Sequence, residues 1–181
     1  MDVFEAIKGR RSIRSFKIGE VKAEVIETIL DAARWAPSWA NSQCAYYVLI
    51  KDRNQLLKLA QTLPQTNPAR GSFETCAFCI AVVAKHGLAG YKKGERVEKR
   101  EWYMFDSALA TQNICLAAHA LGLGSVIVGL FDSQEADKIL KVPQGYETVC
   151  LIPIGIPDKI PSTPSRKPLS ELVFYESFSR G

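Results

Sequence analysis

Val25, Ile26, Ile29, Leu30 and Ala33 recur at three- and four-residue spacing, the stripe of an amphipathic helix over about residues 22–35. Pro37 closes it. Upstream, Asp2 and Glu5 are spaced as a capping box for a first helix through Lys8, with Val3, Phe4 and Ile7 as its apolar positions. Residues 46–50 form an apolar run of strand length, and residues 80–84 read as a buried strand. Residues 55–62 read as a short helix, and so do residues 133–140, capped by Asp132 or Ser133. Residues 125–128 and 149–154 supply two further strands. Pro153 suits the end of a ladder better than its interior, because it has no N–H to donate.

From Trp102 to Leu121 the pattern is helical but apolar nearly all round, through Phe105, Ala108, Leu109, Ile114, Cys115, Leu116, Ala117 and Ala118. A helix without a wet face is buried on every side, which in so short a chain predicts burial against a second subunit. Gly122 and Gly124 end it. Residues 85–100 are rich in Gly, Lys and Glu without core periodicity and read as a mobile loop or lid. Beyond Gly155 the chain is Pro-rich to Pro168, then apolar again at Leu169, Leu172, Val173, Phe174, Tyr175 and Phe178. This is the pattern of an extended arm, over about residues 156–181, that docks on a partner subunit. Helices and strands intermix without an internal repeat, so the class is α+β or α/β.

The length of 181 residues suits one domain, over residues 1–181, with a substantial core. A hydrophobic fraction of 47% and a charged fraction of 23% are those of a globular protein in water. A net charge of +4 is too mild for a general nucleic-acid binder, and it is compatible with small anionic ligands. No run of apolar residues has the length of a membrane span, and Met1-Asp2-Val3-Phe4-Glu5 lacks the cationic start of a signal peptide. Five cysteines without framework spacing suggest a reducing, cytoplasmic setting.

The candidate chemistry lies in two basic patches at opposite ends of the chain, Arg10-Arg11-Ser12-Ile13-Arg14 and Ser165-Arg166-Lys167-Pro168. Taken singly, each reads equally well as a helix C-terminus or a solvated tail. Together they are suited to converge on one phosphate, which a guanidinium fork grips through two oxygens. Neither a GxGxxG turn nor a GxxxxGK[ST] loop is present, so a phosphate-bearing ligand would be held by side-chain cations. Cys76-Ala77-Phe78-Cys79 is a CxxC, but it runs directly into a strand where small buried residues are expected. His119 falls within the apolar helix and reads as a core or interface residue. No residue is assigned as a catalytic acid, base or nucleophile, and none as a metal ligand. A phosphate cradle without such groups points to a bound cofactor that carries the chemistry.

With these blocks, joined by Ala36-Pro37-Ser38-Trp39-Ala40-Asn41-Ser42-Gln43 and by Leu121-Gly122-Leu123-Gly124-Ser125-Val126-Ile127-Val128-Gly129, the chain resembles the FMN-dependent nitroreductase family over essentially its whole length. The resemblance implies an α+β fold: a three-layer sandwich with a central, mostly antiparallel sheet flanked by helices. It also implies an intertwined homodimer with FMN at the subunit interface. Arg10, Arg11, Ser12 and Arg14 would hold the FMN phosphate and ribityl chain, completed by Arg166 and Lys167. Pro37, Ser38, Trp39 and Asn41 would come from the other subunit. The backbone at Ile127, Val128 and Gly129 would face the ring and donate to its hydride-accepting nitrogen. Asn67, between Pro64 and Pro68, fits the pattern poorly and is left out. Cys44 stands where the family often has an aromatic residue or proline, and it reads as the start of a strand.

The implied reaction is ping-pong. NADH or NADPH reduces the flavin, and a small-molecule acceptor such as a nitroaromatic or a quinone is reduced in turn. Two alternatives remain open: a flavoenzyme of the same fold with another reaction (a dehydrogenase or a reductive dehalogenase), and a flavin-binding protein without turnover.

Overall fold

A twelve-residue strand near the end of the chain organises the sheet, and every other strand of that sheet is placed by it directly or through one neighbour. The computed structural model describes residues 1–92, 95–96 and 101–178, with the backbone alone at 91–92 and 95–96. In chain order the elements are α1 (Val3–Gly9), β1 (Phe16–Lys17), α2 (Ala23–Arg34), β2 (Ala45–Ile50), α3 (Arg53–Gln61), α4 (Ser72–Thr75), β3 (Phe78–Lys85), β4 (Tyr91–Lys92), β5 (Glu95–Arg96), α5 (Trp102–Ala120), β6 (Gly124–Ser125), α6 (Ser133–Leu140), β7 (Tyr146–Pro157) and α7 (Leu169–Leu172). β7 pairs antiparallel with β3 along one edge, and β3 with β2. Its other edge takes β6 and then β1, also antiparallel.

Side chains alternate across this sheet with a period of two, which creates two cores. Phe78, Ile80 and Val82 of β3 and Cys150, Ile152 and Ile154 of β7 pack against Ile26, Ile29 and Ala33 of α2 and Ile114, Cys115 and Ala118 of α5. Cys79, Ala81 and Leu151 face the opposite way, onto Leu56 and Leu59 of α3, Phe73 of α4 and Ala136 of α6. The result is the expected three-layer α+β sandwich with an antiparallel sheet. Phe73 and Phe78, both fully buried, each stabilise it by roughly 2–3 kcal/mol.

Local signals account for the helix starts. Asp2 accepts from the Glu5 N–H at 2.9 Å while the Glu5 carboxylate accepts from the Asp2 N–H at 2.9 Å, the reciprocal box read from the sequence. Asp52 caps α3 and Asp132 caps α6 in the same one-sided manner.

Two expectations need correction. Pro153 lies inside β7, the central strand, and not at its end. Its missing N–H faces the β6 edge, where Val126 N–H reaches the Pro153 carbonyl at 3.4 Å with no return bond. That gap cuts the expected strand over 125–128 short: only Gly124–Ser125 forms a strand, and Val128 rejoins the same register as a single bridge to Leu151. The second is that the stretch expected to be a loop from 85 to 100 contains the last residue of β3 and the β4–β5 ladder; residues 93–94 and 97–100 lie outside the described residues. Within one chain, α5 leaves Met104 and Phe105 exposed along with Ala108 and Gln112, the surface on which the expected second subunit would pack. The C-terminal arm is exposed at Leu169, Leu172, Val173, Tyr175 and Phe178.

Candidate functional site

The two basic patches meet. Arg10, Arg11, Ser12 and Arg14 form one wall of a cleft, and Pro161, Ser162, Pro164 and Arg166 form the other. The first wall follows from how the chain leaves α1. Arg10 is the C-cap residue, with φ −57° and ψ 131°, so the backbone turns from helical to extended there. Ile13 N–H then donates to the Ser125 carbonyl at 2.9 Å, and Ser12 bridges Ser125 in parallel. Ile13 is buried in the core, while its neighbours Ser12 and Arg14 are not, which leaves those side chains for the cleft.

The cations play different parts. Arg11 donates to the carbonyls of Lys8 and Arg10 at 2.6 and 2.9 Å and to the Thr163 hydroxyl, so it splints the two walls together. Arg166 bonds the carbonyls of Pro164 and Ser165, both at 3.1 Å. Arg14 makes one long contact to the Ser12 carbonyl, 3.4 Å. Among the described residues, no carboxylate lies within ion-pairing distance of Arg10, Arg11, Arg14 or Arg166. Four guanidinium groups and a hydroxyl without a counter-anion suit a phosphate monoester, so the residues fit the phosphate end of FMN. Lys167 does not line the cleft; its ammonium stands 4.0 Å from Glu171.

Arg10 and Arg11 also border a more apolar cavity formed with Ile13, Leu123, Gly124 and His119. Burial, followed by the charges of Arg10 and Arg11, holds the His119 pKa below the usual histidine value, so its ring adds no positive charge there at neutral pH. The ring is half-buried rather than in the core, which leaves the interface alternative.

The Pro37–Gln43 segment stands apart. Pro37 and Ser38 border a separate cavity with Gln43, Cys44, Tyr47 and Asp106, and that cavity shares no residue with the arginine cleft. Trp39–Asn41 is a single tight turn, with left-handed φ at Ala40 (45°), Asn41 (55°) and, just beyond, Gln43 (47°). Cys44 is fully buried next to β2, as its strand-start reading requires.

The Ile127–Val128–Gly129 stretch is half available. Val128 is buried and its N–H is committed to the Leu151 carbonyl at 2.9 Å. A backbone donor from this stretch therefore comes from Ile127, which is 46% exposed, or from Gly129, and not from Val128. Asn67 fixes the turn that follows, donating to the Leu130 carbonyl at 3.1 Å. The pairs Cys76–Cys79 and Cys115–Cys150 are free, buried thiols.

The residue that the sequence reading missed is Asp106. It is 3% exposed on α5 and holds the Trp39–Cys44 turn. The signal was there: Asp106 is the one acidic residue of a mostly apolar helix, and a buried carboxylate needs donors.

Among known proteins, the Nitroreductase family matches residues 7–156 of this chain. A "Putative NADH dehydrogenase/NAD(P)H nitroreductase" of Methanothermobacter thermautotrophicus is 32% identical over 167 residues, 90% of this chain and 81% of that protein. An "FMN reductase (NADPH)" of Bacillus subtilis is 29% identical, covering 97% of this chain and 74% of that protein. The crystal structure of a nitroreductase family protein of Clostridium difficile superposes with a TM-score of 0.83 at 27% identity, over 98% of this chain and all of the other (100%).

Proposed function

The chain belongs to the nitroreductase family, and from that premise we propose that it is an FMN-dependent oxidoreductase driven by NADH or NADPH. The observation that carries the reading is the cleft in which Arg10, Arg11, Ser12, Arg14 and Arg166 converge with no carboxylate among the described residues to neutralise them. Arg10 and Arg14 grip the phosphate. Ser12 adds a hydroxyl, Arg11 keeps the walls together, and Arg166 closes the cleft from the C-terminal side. Lys167 contributes charge from outside the wall. Ile127 or Gly129 presents the backbone donor to the ring, and the partner subunit's Pro37, Ser38, Trp39 and Asn41 line it.

When bound, FMN supplies the redox chemistry: a hydride from the nicotinamide enters, and an acceptor such as a nitroaromatic or quinone removes the electrons in a second half-reaction at the same face. The side chains then bind and orient, and none serves as an acid or base.

The same reading includes a homodimer of one-domain chains in the cytoplasm. It is supported by the apolar surface one chain leaves open: Val3, Phe4 and Ile7 on α1, Met104 and Phe105 on α5, and Leu169, Leu172, Tyr175 and Phe178 on the arm. The separation of the Pro37–Ser38 cavity from the arginine cleft fits a site assembled from two subunits. Among the described residues, no helix is long and apolar enough to cross a membrane.

An anaerobic absorbance titration tests the function. The purified protein is expected to be yellow and to bleach with NADH or NADPH, then recover its colour with a nitroaromatic or quinone. A protein that stays colourless after FMN is added overturns the cofactor assignment; a yellow protein that neither nucleotide bleaches overturns the reductase.

A further inference from the structure

We infer that Asp106 is a positioning residue that sets the conformation of the Pro37–Gln43 loop, and through it the wall that this loop presents to the flavin. The inference rests on the proposed FMN site for its functional consequence, but the clamp itself stands on geometry. One carboxylate oxygen, Oδ2, accepts from the Trp39 backbone N–H at 3.0 Å, from the Ser42 hydroxyl at 3.2 Å and from the Cys44 thiol at 3.5 Å. These donors bracket the part of the chain that most resists its own conformation. Ala40, Asn41 and Gln43 all have left-handed φ, which side-chain-bearing residues adopt at a cost.

A second grip comes from the same helix. Trp102, one turn before Asp106 on α5, packs its ring edge-on against the Trp39 ring at 5.1 Å. Within the loop, the Ser38 hydroxyl accepts from the Gln43 N–H at 3.0 Å and closes the turn on itself. Thus α5 holds Trp39 by backbone and ring together, and Asp106 reaches across from Trp39 to Cys44. Among the described residues no cation pairs with the carboxylate, and the neighbouring Arg34 is paired with Asp31. A buried carboxylate satisfied by donors from one loop is a device for fixing that loop.

The loop side chains assigned to the flavin, Pro37, Ser38, Trp39 and Asn41, all lie in or next to this turn. Releasing the clamp lets the left-handed residues relax and moves that wall. Global stability need not fall in proportion, because β3 and β7 are held by other contacts.

The test compares wild type, Asp106→Ala and Asp106→Asn. Deuterium uptake is followed in peptides covering 37–44 and in peptides of β3 and β7, and FMN affinity is measured by flavin fluorescence. Asp106→Ala is expected to speed exchange selectively at 37–44 and to weaken FMN binding about tenfold or more, the size of one lost bond to a charged group. Asp106→Asn, whose side-chain carbonyl still accepts from Trp39, is expected to recover most of both effects. If Asp106→Ala does not fold, Ser42→Ala carries the same prediction at smaller amplitude. Exchange that rises uniformly across the chain, or FMN affinity that stays at the wild-type value while 37–44 opens, overturns the positioning role. A wild-type protein that binds no FMN overturns the cofactor reading instead, and the exchange pattern then decides the clamp alone.

Discussion

Arg11 and Thr163 stand 152 positions apart in sequence and are joined by a hydrogen bond from the guanidinium to the hydroxyl. This bond explains how a patch after the first helix and a patch on the C-terminal arm come to share one cleft. It also divides the labour among like residues. Arg11 is occupied with the Lys8 and Arg10 carbonyls and with Thr163, whereas the Arg10 side chain makes no comparable bond among the described residues. The clustered guanidinium groups repel one another unless an anion sits among them, so ligand binding and closure of the arm reinforce each other.

Arg10→Ala and Arg14→Ala are therefore expected to weaken FMN binding while leaving the fold intact. Each removed charge-assisted bond is worth about 1.5–3 kcal/mol, or roughly ten- to a hundredfold in affinity. Flavin content after purification and a fluorescence titration check it, with thermal unfolding of the flavin-free protein as the control. Either variant retaining full flavin affinity would place the phosphate elsewhere. Arg11→Ala should differ by also loosening residues 161–166, visible as faster amide exchange there.

Asp2→Ala is expected to act on stability alone. It removes one half of the capping box, the Asp2 carboxylate that accepts from the Glu5 N–H, and leaves the backbone N–H of position 2 to the Glu5 side chain. The loss is about 1 kcal/mol, read as a lower denaturant midpoint at unchanged slope. FMN affinity should hold, because Arg10 is anchored at the other end of α1 by its own N–H to the Ala6 carbonyl at 3.0 Å.

Local chemistry made much of this molecule readable in advance. The box at Asp2 and Glu5 and the stripe at Ile26, Ile29 and Ala33 are short-range patterns that appear as read, and of the two caps offered for α6 the structure uses Asp132 and not Ser133. The meeting of Arg10, Arg11, Ser12 and Arg14 with Arg166 was legible as a joint requirement of one anion, though not from either patch alone. What could not be read depends on partners distant in sequence. β1 is two residues long and exists only because Phe16 and Lys17 find Pro157 and Ile156. Pro153 was misplaced because the tolerance of a proline depends on which edge its missing N–H faces. The commitment of the Val128 N–H to Leu151, and the hold of Asp106 on Trp39, are likewise tertiary facts.

Gly124 couples the core to the arginine cleft. A Cβ at this position would meet Cβ, Cγ1 and Cγ2 of Ile13 at 2.8–2.9 Å, and Ile13 follows directly on Ser12. A β-branched side chain in a packed core cannot yield that distance without moving its backbone. Gly124→Ala is expected to cost about 1–3 kcal/mol of stability and to weaken FMN binding by displacing Ser12 and Arg14. Denaturant unfolding and flavin titration of the same preparation check both; a stable variant with normal affinity would show that Ile13 shifts without carrying its neighbours.

The buried thiols make stability fall at alkaline pH. Burial pushes the Cys76 thiol from 9.0 up to about 11, partly offset by the Arg53 guanidinium beside it, and burial likewise pushes Cys150 up to about 11 against the Thr111 hydrogen bond. Because the folded state favours the neutral thiol, each contribution is fully present below pH 9 and is lost as pH rises from about 9 to about 11. At roughly 1.4 kcal/mol per unit, each thiol costs the folded state on the order of 2–3 kcal/mol by the top of that window. Unfolding free energies measured across it should decline less steeply for Cys76→Ala than for wild type, whatever the absolute cost of the cavity. The same burial keeps Cys76 and Cys79 unreactive, so the native protein should resist alkylation at pH 8, and Cys76→Ser should retain NAD(P)H-dependent turnover. Rapid labelling of Cys76 in the folded protein, or turnover abolished in the serine variant, would instead make the CxxC a reactive pair.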